Sequence, residues 1–130
     1  KIYGATKIYD TRSGTDPDFP EELLKDPELL LIINEGKEFG TTTGRMRKVN
    51  WLNLDKLIKS INISGTTHCI ISKTDILDRA KIFKLYYNNN LNTFATLIEM
   101  RCFINEIITD QCRYIDKIIY SNNVETIEGL

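Results

Sequence analysis

The sequence has one histidine and an odd number of cysteines, and both limits restrict the chemistry that the chain can carry. His68 has no second histidine to join it as a metal ligand, and a Cys–His nucleophile has as little support. The three cysteines, Cys69, Cys102 and Cys112, lie within apolar patterns and form no C-x-x-C pair. We therefore expect reduced core thiols in a cytoplasmic protein, and neither a disulfide framework nor a metal centre.

A strong charge of one sign and a long apolar run are also missing. Lys and Arg number 17 and Asp and Glu number 18, so the net charge is −1. No general basic field is therefore available for nucleic acid or a membrane surface. No apolar run approaches the roughly 20 residues needed to span a bilayer. The 130 residues, 42% of them hydrophobic, suit one globular domain, in which anions must be bound by local groups.

The segment from Glu38 to Arg47, Glu-Phe-Gly-Thr-Thr-Thr-Gly-Arg-Met-Arg, combines the residue types of an anion-binding loop. Its glycines allow positive φ and a close approach of the main chain, and its threonines add short hydroxyl donors. Arg45 and Arg47 each offer a planar fork that fits a carboxylate or a phosphate, and both can leave an extended backbone on the same side. The alternative is a polar surface turn followed by the start of a basic helix.

A second segment, Cys69 to Asp75, is a short apolar run that ends in Lys73-Thr74-Asp75. This pattern predicts a buried strand with two charged side chains at its carboxyl end, the edge at which open α/β sheets bind ligands. A carboxylate there can accept the N1 and exocyclic amino hydrogens of guanine, and adenine does not offer both in that arrangement. The alternative is an ordinary strand end whose charges are solvated.

The rest of the pattern predicts alternating strands and helices. Asn50 or Asn53 can cap a helix that begins near Trp51, and Trp51 itself is expected in the core. The five apolar residues from Leu29 to Ile33 are expected to face the core or a partner. The other predicted elements are a strand over 2–9, a short helix after Pro20, a turn at 76–78, a strand over 81–87, a long helix over 91–110 and a final strand over 115–120.

A series of motifs, in order, resembles the adenylosuccinate synthetase family over residues 1 to about 87. Gly40 to Arg47 resembles the aspartate-binding loop of that family, Gly-Ala-Thr-Thr-Gly-Arg-x-Arg, with Thr41 in the alanine place. The other similar segments are Thr11-Arg12-Ser13-Gly14, Phe19-Pro20-Glu21-Glu22-Leu23, Gly36-Lys37-Glu38-Phe39-Gly40, Trp51-Leu52-Asn53 and Lys73-Thr74-Asp75-Ile76-Leu77-Asp78.

The resemblance implies an α/β fold: the C-terminal part of a P-loop-like adenylosuccinate synthetase fold, with a few strands flanked by helices. Residues 1–130 would then be a C-terminal fragment, because the family's glycine-rich phosphate loop, its catalytic aspartate and the histidine that follows have no counterpart here. The sequence begins within a strand-like pattern, without an initiator methionine or targeting signal, and this agrees with that expectation. We expect no catalysis from residues 1–130 alone.

The implied activity is the GTP-dependent ligation of L-aspartate to inosine monophosphate (IMP), a step of purine nucleotide biosynthesis. GTP phosphorylates the purine 6-oxygen, and the aspartate amine then displaces phosphate to give adenylosuccinate, with GDP and phosphate released. The resemblance assigns the aspartate-binding role to one loop, formed by Thr41, Thr42, Thr43, Gly44, Arg45, Met46 and Arg47. It also places Arg45 near the IMP ribose.

The same resemblance implies a GTP site in which Lys73 and Asp75 select guanine. The residues assigned to GTP are Arg47, Lys73, Thr74, Asp75 and Ser121. Mg²⁺ is the implied cofactor, and its ligands, like the general base, belong to the missing N-terminal half. The implied assembly is a homodimer in which each site is completed by an arginine of the other subunit. Arg12, in its Thr-Arg-x-Gly turn, is either a surface charge or a residue that supports the nucleotide site.

The sequence departs from the family at its last loop. Residues 120–126 lack the glycine, proline and arginine of Thr-Gly-Pro-x-Arg, which helps to enclose guanine, so Ser121 lies either in that loop or in an ordinary turn. Two other functions stay open. One is a phage-type synthetase that acts on deoxyguanylate (dGMP) and makes 2-aminoadenylosuccinate. The other is a degenerate, non-catalytic nucleotide-binding or assembly module.

Overall fold

The computed structural model describes residues 1–12, 17–39, 44 and 46–121, which form seven strands and four α-helices and confirm the expected α/β class. The strands are β1 (Tyr3–Lys7), β2 (Tyr9–Arg12), β3 (Lys48–Asn53), β4 (His68–Ser72), β5 (Phe83–Tyr87), β6 (Asn90–Phe94) and β7 (Lys117–Tyr120). The helices are α1 (Pro27–Gly36), α2 (Leu54–Ser64), α3 (Thr74–Ala80) and α4 (Leu97–Gln111), and a short 3-10 helix spans Glu21–Lys25.

The strands form two sheets. In the first, β4 lies between β1 and β7 and all three strands run parallel. The register pairs Lys7 with Ser72 and Ile71 with Tyr120, so the three carboxyl ends lie along one edge. The second sheet has the order β2-β3-β5-β6, in which only the β3–β5 pair is parallel. The chain passes from the first sheet to the second at Ile8, whose side chain is fully buried.

Local sequence explains where the helices begin and end. Asp26 accepts hydrogen bonds from two backbone N–H groups of the first turn of α1, at 2.9 and 3.3 Å, and Pro27 fits the first helical position. Asn53 accepts a hydrogen bond from the backbone N–H of Lys56 at 3.1 Å and caps α2. α1 ends at Gly36, and its C-cap residue Lys37 has a φ of 50°, where the chain turns toward the predicted anion loop.

The core between the sheets and the helices is largely aliphatic. Trp51 is 3% exposed, which confirms its expected place in the core. Within the predicted apolar run, α1 buries three of five residues, whereas Leu31 is 39% exposed. The buried core includes Ile8, Tyr9, Leu29, Ile32, Ile33, Val49, Leu52, Leu54, Ile71, Leu77, Leu85, Met100, Ile104 and Ile108.

Two predictions near the sheets need correction. Of the two candidate caps for α2, Asn53 is confirmed, but Trp51 lies inside β3 and the helix begins three residues later, at Leu54. The predicted turn at 76–78 lies inside α3, which starts directly after Lys73. In both places the apolar residues fit a strand, a helix or a turn by periodicity alone, and tertiary packing decided between them.

The predicted long helix over 91–110 is a strand followed by a helix. Asn88 and Asn89 have φ values of 52° and 62°, the conformation of a tight hairpin turn, and asparagine tolerates it better than most residues. The turn folds β6 back onto β5, and α4 begins only at Leu97. The predicted first strand is similarly divided between β1 and β2, and the final strand begins at Lys117, two residues later than expected.

The cysteines divide between the core and the surface. Burial raises the pKa of Cys69 to about 11 and also raises the pKa of Cys112, so the thiolate form is disfavoured at both buried cysteines. Cys102 is exposed on α4, so the prediction of a core thiol is wrong there. Among the described residues, no group of three or more His, Cys, Asp or Glu could hold a metal ion. None of the helices in this part of the chain has the length and apolar character that crossing a membrane requires.

Candidate functional site

The carboxyl edge of the parallel sheet carries the second segment that the sequence identified, the one that ends in Lys73-Thr74-Asp75. β4 ends at Ser72, and Lys73 follows with a φ of 67°, a turn that starts α3. The backbone N–H of Ile8 donates to the carbonyl of Ser72 at 3.0 Å, so the end of β1 lies beside this turn. The predicted buried strand with charged residues after it is therefore present.

Ser121 follows β7 and is hydrogen-bonded to the turn after β4. The backbone N–H and the hydroxyl of Thr74 both donate to the carbonyl of Ser121, each at 3.3 Å. The backbone N–H of Ser121 donates in turn to the carbonyl of Ile71 at 2.9 Å. The tertiary structure therefore holds Ser121 and the 73–75 segment side by side, although 46 residues separate Asp75 from Ser121 in the sequence.

In the part of the chain that the structure describes, one carboxylate oxygen of Asp75 has a hydrogen-bond partner and the other has none. Its Oδ2 accepts a hydrogen bond from Nη1 of Arg79 at 2.9 Å, and Nε of Arg79 donates to Glu35 on α1 at 3.3 Å. Asp75 Oδ1 and Ser121 Oγ are buried and have no hydrogen-bond partner among the described residues. Buried polar atoms in proteins are normally hydrogen-bonded. These two atoms therefore mark the place where a ligand can supply the missing partners.

Three side chains contact a buried carboxylate at the start of the predicted anion loop. Glu38 is 2% exposed. Its Oε2 accepts a hydrogen bond from Tyr9 Oη at 2.6 Å, and its Oε1 accepts one from Arg47 Nη1 at 3.1 Å. Lys7 Nζ lies 3.3 Å from both oxygens. We refer to Lys7, Tyr9, Glu38 and Arg47 as the Glu38 cluster.

The electrostatics connect the Glu38 cluster with the 73–75 segment. Burial alone would raise the pKa of Glu38, but the Tyr9 hydroxyl and the charges of Lys7 and Lys73 outweigh burial and lower it. The pKa of Tyr9 is raised by burial first, then by its bond to Glu38 and by the charges of Glu38 and Asp75, while Arg47 opposes the rise. The Tyr9 hydroxyl is thus within electrostatic range of both predicted binding segments.

The ends of the predicted anion loop are joined by main-chain contacts. Phe39 and Met46 form an antiparallel bridge, and the backbone N–H of Arg47 donates to the carbonyl of Glu38 at 2.9 Å. Gly44 has a φ of 66°, which favours glycine. Met46 is 38% exposed. Five residues of the predicted loop, Gly40, Thr41, Thr42, Thr43 and Arg45, lie outside the described residues.

The lowered pKa of Glu38 predicts an acid-sensitive contribution to stability. Because the pKa in the folded state lies below the ordinary value of 4.5, the charged carboxylate stabilises the fold above that value. This contribution is lost as the pH falls through the lowered pKa. In the full-length protein, Glu38→Gln should therefore destabilise most at neutral pH, and the difference from wild type should shrink in acid. Urea unfolding of both proteins between about pH 7 and pH 3 measures this; a difference that does not change with pH would contradict it.

The structure places some predicted site residues together and adds others. Lys73, Thr74, Asp75 and Ser121 meet at the sheet edge, and Arg47 lies in the neighbouring Glu38 cluster without a direct contact to Asp75 among the described residues. The sequence analysis assigned no role to Lys7, Tyr9 and Arg79. Lys7 and Tyr9 lie on a short alternating strand pattern, and only the tertiary fold shows that both meet Glu38.

Comparisons with known proteins identify a family. A family model described as adenylosuccinate synthetase matches residues 1–100. The adenylosuccinate synthetase of Deinococcus deserti is 43% identical over 81 residues, and that of Komagataella phaffii is 42% identical over 98 residues. These alignments cover 59% and 72% of this chain but 20% and 22% of the relatives. The chain thus spans about a fifth of the length of the curated relatives that it matches.

The fold is also similar to a solved structure, the fully ligated adenylosuccinate synthetase from Plasmodium falciparum. The TM-score is 0.69 at 18% sequence identity, and the match covers 94% of this chain and 37% of the other. At that identity the likeness shows the fold alone. Neither of the two alternative functions gains support from these comparisons.

Proposed function

Because the chain belongs to the adenylosuccinate synthetase family, we propose that the full-length protein catalyses the GTP-dependent ligation of L-aspartate to IMP, with adenylosuccinate, GDP and phosphate as products. Residues 1–130 are the C-terminal part of this enzyme. They supply an aspartate-binding loop at 40–47 and a guanine-recognition segment at 73–75, and the N-terminal part supplies the phosphate loop. The observation that supports this proposal best is the shared sheet edge: Asp75, Ser121 and the Glu38 cluster all lie around it.

A guanine-binding role for Asp75 is supported by a carboxylate oxygen that has no hydrogen-bond partner among the described residues. Guanine presents two hydrogen-bond donors, N1–H and the exocyclic amino group, on one edge. Asp75 Oδ1 is buried and has no partner in the described ranges, and Oδ2 keeps capacity for a second hydrogen bond beside that from Arg79. The Ser121 hydroxyl, directly after β7, likewise has no partner among those residues. Lys73 and Thr74 complete the segment, with the lysine stem available to cover the purine face.

The aspartate-binding role belongs to the loop that ends at Arg47. L-Aspartate brings two carboxylates, which suit the hydroxyls and backbone N–H groups of Thr41, Thr42, Thr43, Gly44 and Met46 and the two guanidinium groups. Arg45 also contacts the IMP ribose, and Arg47 also contacts GTP. Phosphoryl transfer depends chiefly on positioning and on neutralising charge. This part of the chain contributes to both by holding the nucleophile and the nucleotide base.

Mg²⁺ is the proposed cofactor, and it would neutralise the phosphate charge of GTP. The described residues do not fit a metal site, since they contain no suitable group of three or more His, Cys, Asp or Glu. We propose that its ligands lie in the N-terminal part, as the resemblance to the family implies. We also propose a cytoplasmic homodimer, with no nucleic acid or membrane partner; the support is the family and a net charge near zero.

An activity assay with the full-length protein tests the proposal. With GTP, IMP and L-aspartate, chromatography should detect adenylosuccinate, GDP and phosphate in equal amounts, and omission of any one substrate should abolish the products. ATP should not replace GTP, and dGMP should not replace IMP. Residues 1–130 alone should give no product. Turnover with dGMP in place of IMP would overturn the acceptor assignment, and turnover by residues 1–130 alone would overturn the division of roles.

A further inference from the structure

The Arg47 guanidinium is anchored by a carboxylate that other strands hold in place. Glu38 follows α1 directly, whereas Lys7 ends β1 and Tyr9 begins β2. The Glu38 side chain is 3% exposed, but those of Lys7 and Arg47 are 29% and 34% exposed. The two cations therefore reach the surface from a buried anion that they share.

The main chain at Gly36 passes close to the Tyr9 hydroxyl, and this makes the contact between Tyr9 and Glu38 possible. A Cβ atom added to Gly36 would lie 2.5 Å from Tyr9 Oη, the atom that donates to Glu38 at 2.6 Å. Only glycine at that position leaves the tyrosine hydroxyl room to reach the carboxylate. The contact between Tyr9 and Glu38 therefore depends on the glycine at position 36 as well as on the two residues themselves.

We propose that Glu38 is a positioning residue for the reaction: it fixes the Arg47 guanidinium for binding L-aspartate, and Tyr9 orients Glu38 in turn. This inference rests on the proposed function. A guanidinium carries five N–H groups, and in the described part of the chain Arg47 has a protein partner only at Nη1. Its remaining donors stay available to an anion.

The proposal follows from the cost of ordering a long side chain. An arginine side chain without a partner loses rotamer freedom when it binds a substrate. An arginine that is already hydrogen-bonded to a carboxylate has lost that freedom on folding, so binding costs less. Glu38 meets this need without repelling an anionic substrate strongly, because it is buried beside cations. Lys7, Arg47 and Lys73 bring three positive charges against the one negative charge of Glu38, so these four residues keep an excess of positive charge.

A double-mutant cycle in the full-length protein separates this role from a purely structural one. Glu38→Gln keeps the shape of the side chain and removes its charge. We expect it to raise KM for L-aspartate about tenfold and to change kcat by less than about threefold. In the Arg47→Ala background, the same substitution should change KM by less than about twofold, because the residue that Glu38 positions is already gone.

Tyr9→Phe and Glu28→Gln complete the test. Tyr9→Phe removes only the hydroxyl and should raise KM for L-aspartate about threefold to tenfold, again without effect in the Arg47→Ala background. It also provides the same test if Glu38→Gln folds poorly in thermal melts. Glu28→Gln is the matched control: Glu28 lies on α1 and binds Lys84 Nζ at 2.5 Å, so KM for L-aspartate should not change.

The outcomes distinguish this inference from the proposed function. If Arg47→Ala raises KM for L-aspartate but the effects of Glu38→Gln and Arg47→Ala simply add, Glu38 acts independently and the positioning role is overturned. The same conclusion follows if neither Glu38→Gln nor Tyr9→Phe changes KM. If Arg47→Ala itself leaves the response to L-aspartate unchanged, both the loop assignment and the positioning role are overturned.

Discussion

Replacing Arg47 with alanine should weaken the use of L-aspartate by the full-length protein by roughly thirtyfold to four-thousandfold. Removing one partner of a charge-assisted pair costs about 2–5 kcal/mol, and each 1.4 kcal/mol is about a tenfold change. The loss includes the guanidinium fork and one of the hydrogen bonds to buried Glu38. The measurement is kcat/KM for L-aspartate at saturating GTP and IMP.

Two controls accompany this experiment. Arg47→Lys keeps the charge and removes the planar fork, so its loss should be intermediate. Arg113→Ala should have no effect, because Arg113 is exposed, lies over the Tyr114 ring at 5.6 Å and precedes β7 at the opposite edge of the sheet. An Arg47→Ala protein whose response to L-aspartate equals that of wild type would refute the assignment of the loop.

Replacing Asp75 with asparagine should reverse part of the preference for guanine. An asparagine amide presents a donor where the carboxylate presents an acceptor. One guanine donor then faces another donor, and sites built for specific hydrogen bonds reject ligands that leave their polar groups unpaired by about four orders of magnitude or more. We expect kcat/KM for GTP to fall at least about a hundredfold. A purine triphosphate with a carbonyl at position 2 should become the better substrate.

The matched control for Asp75 lies on the same helix. Asp78→Asn makes the same chemical change at a side chain that is 56% exposed and lies 3.7 Å from Lys81, so the ratio of GTP use to ATP use should stay at the wild-type value. Competition assays with GTP, ATP and the 2-carbonyl analogue give the ratios directly. If Asp75→Asn leaves the GTP to ATP ratio unchanged, Asp75 is an ordinary acidic residue in the first turn of α3 and has no role in base recognition.

The site itself was only partly predictable from sequence. The run Cys69 to Asp75 predicted both a buried strand and charges at its carboxyl end, because an apolar segment of that length followed by polar residues allows few other structures. The sequence also identified Arg47 by its residue type and spacing. It assigned no role to Tyr9 or to the burial of Glu38, since neither a tyrosine in a short strand nor a glutamate before a loop reveals its partners.

The wrong predictions about the fold have a similar physical origin. The stretch after Asn90 contains apolar residues that fit helical spacing, but the left-handed conformations of Asn88 and Asn89 close a hairpin and extend the next five residues as β6. Backbone pairing with β5 decided this, and that pairing cannot be read from periodicity. The exposure of Cys102 was missed for a related reason: α4 packs by one face, and which face is buried depends on its neighbours.

By itself, the sequence determined the α/β class, the family and the two segments rich in binding chemistry, because these depend on residue type and order along the chain. Only the tertiary structure decided which distant groups meet. Parallel pairing of β1, β4 and β7 aligns three carboxyl ends, and this alignment brings Ser121 to Thr74 and places Lys7 and Tyr9 against Glu38. Contacts of that kind depend on strand order and register. Sequences with the same local pattern can differ in both, so the pattern alone does not predict the contacts.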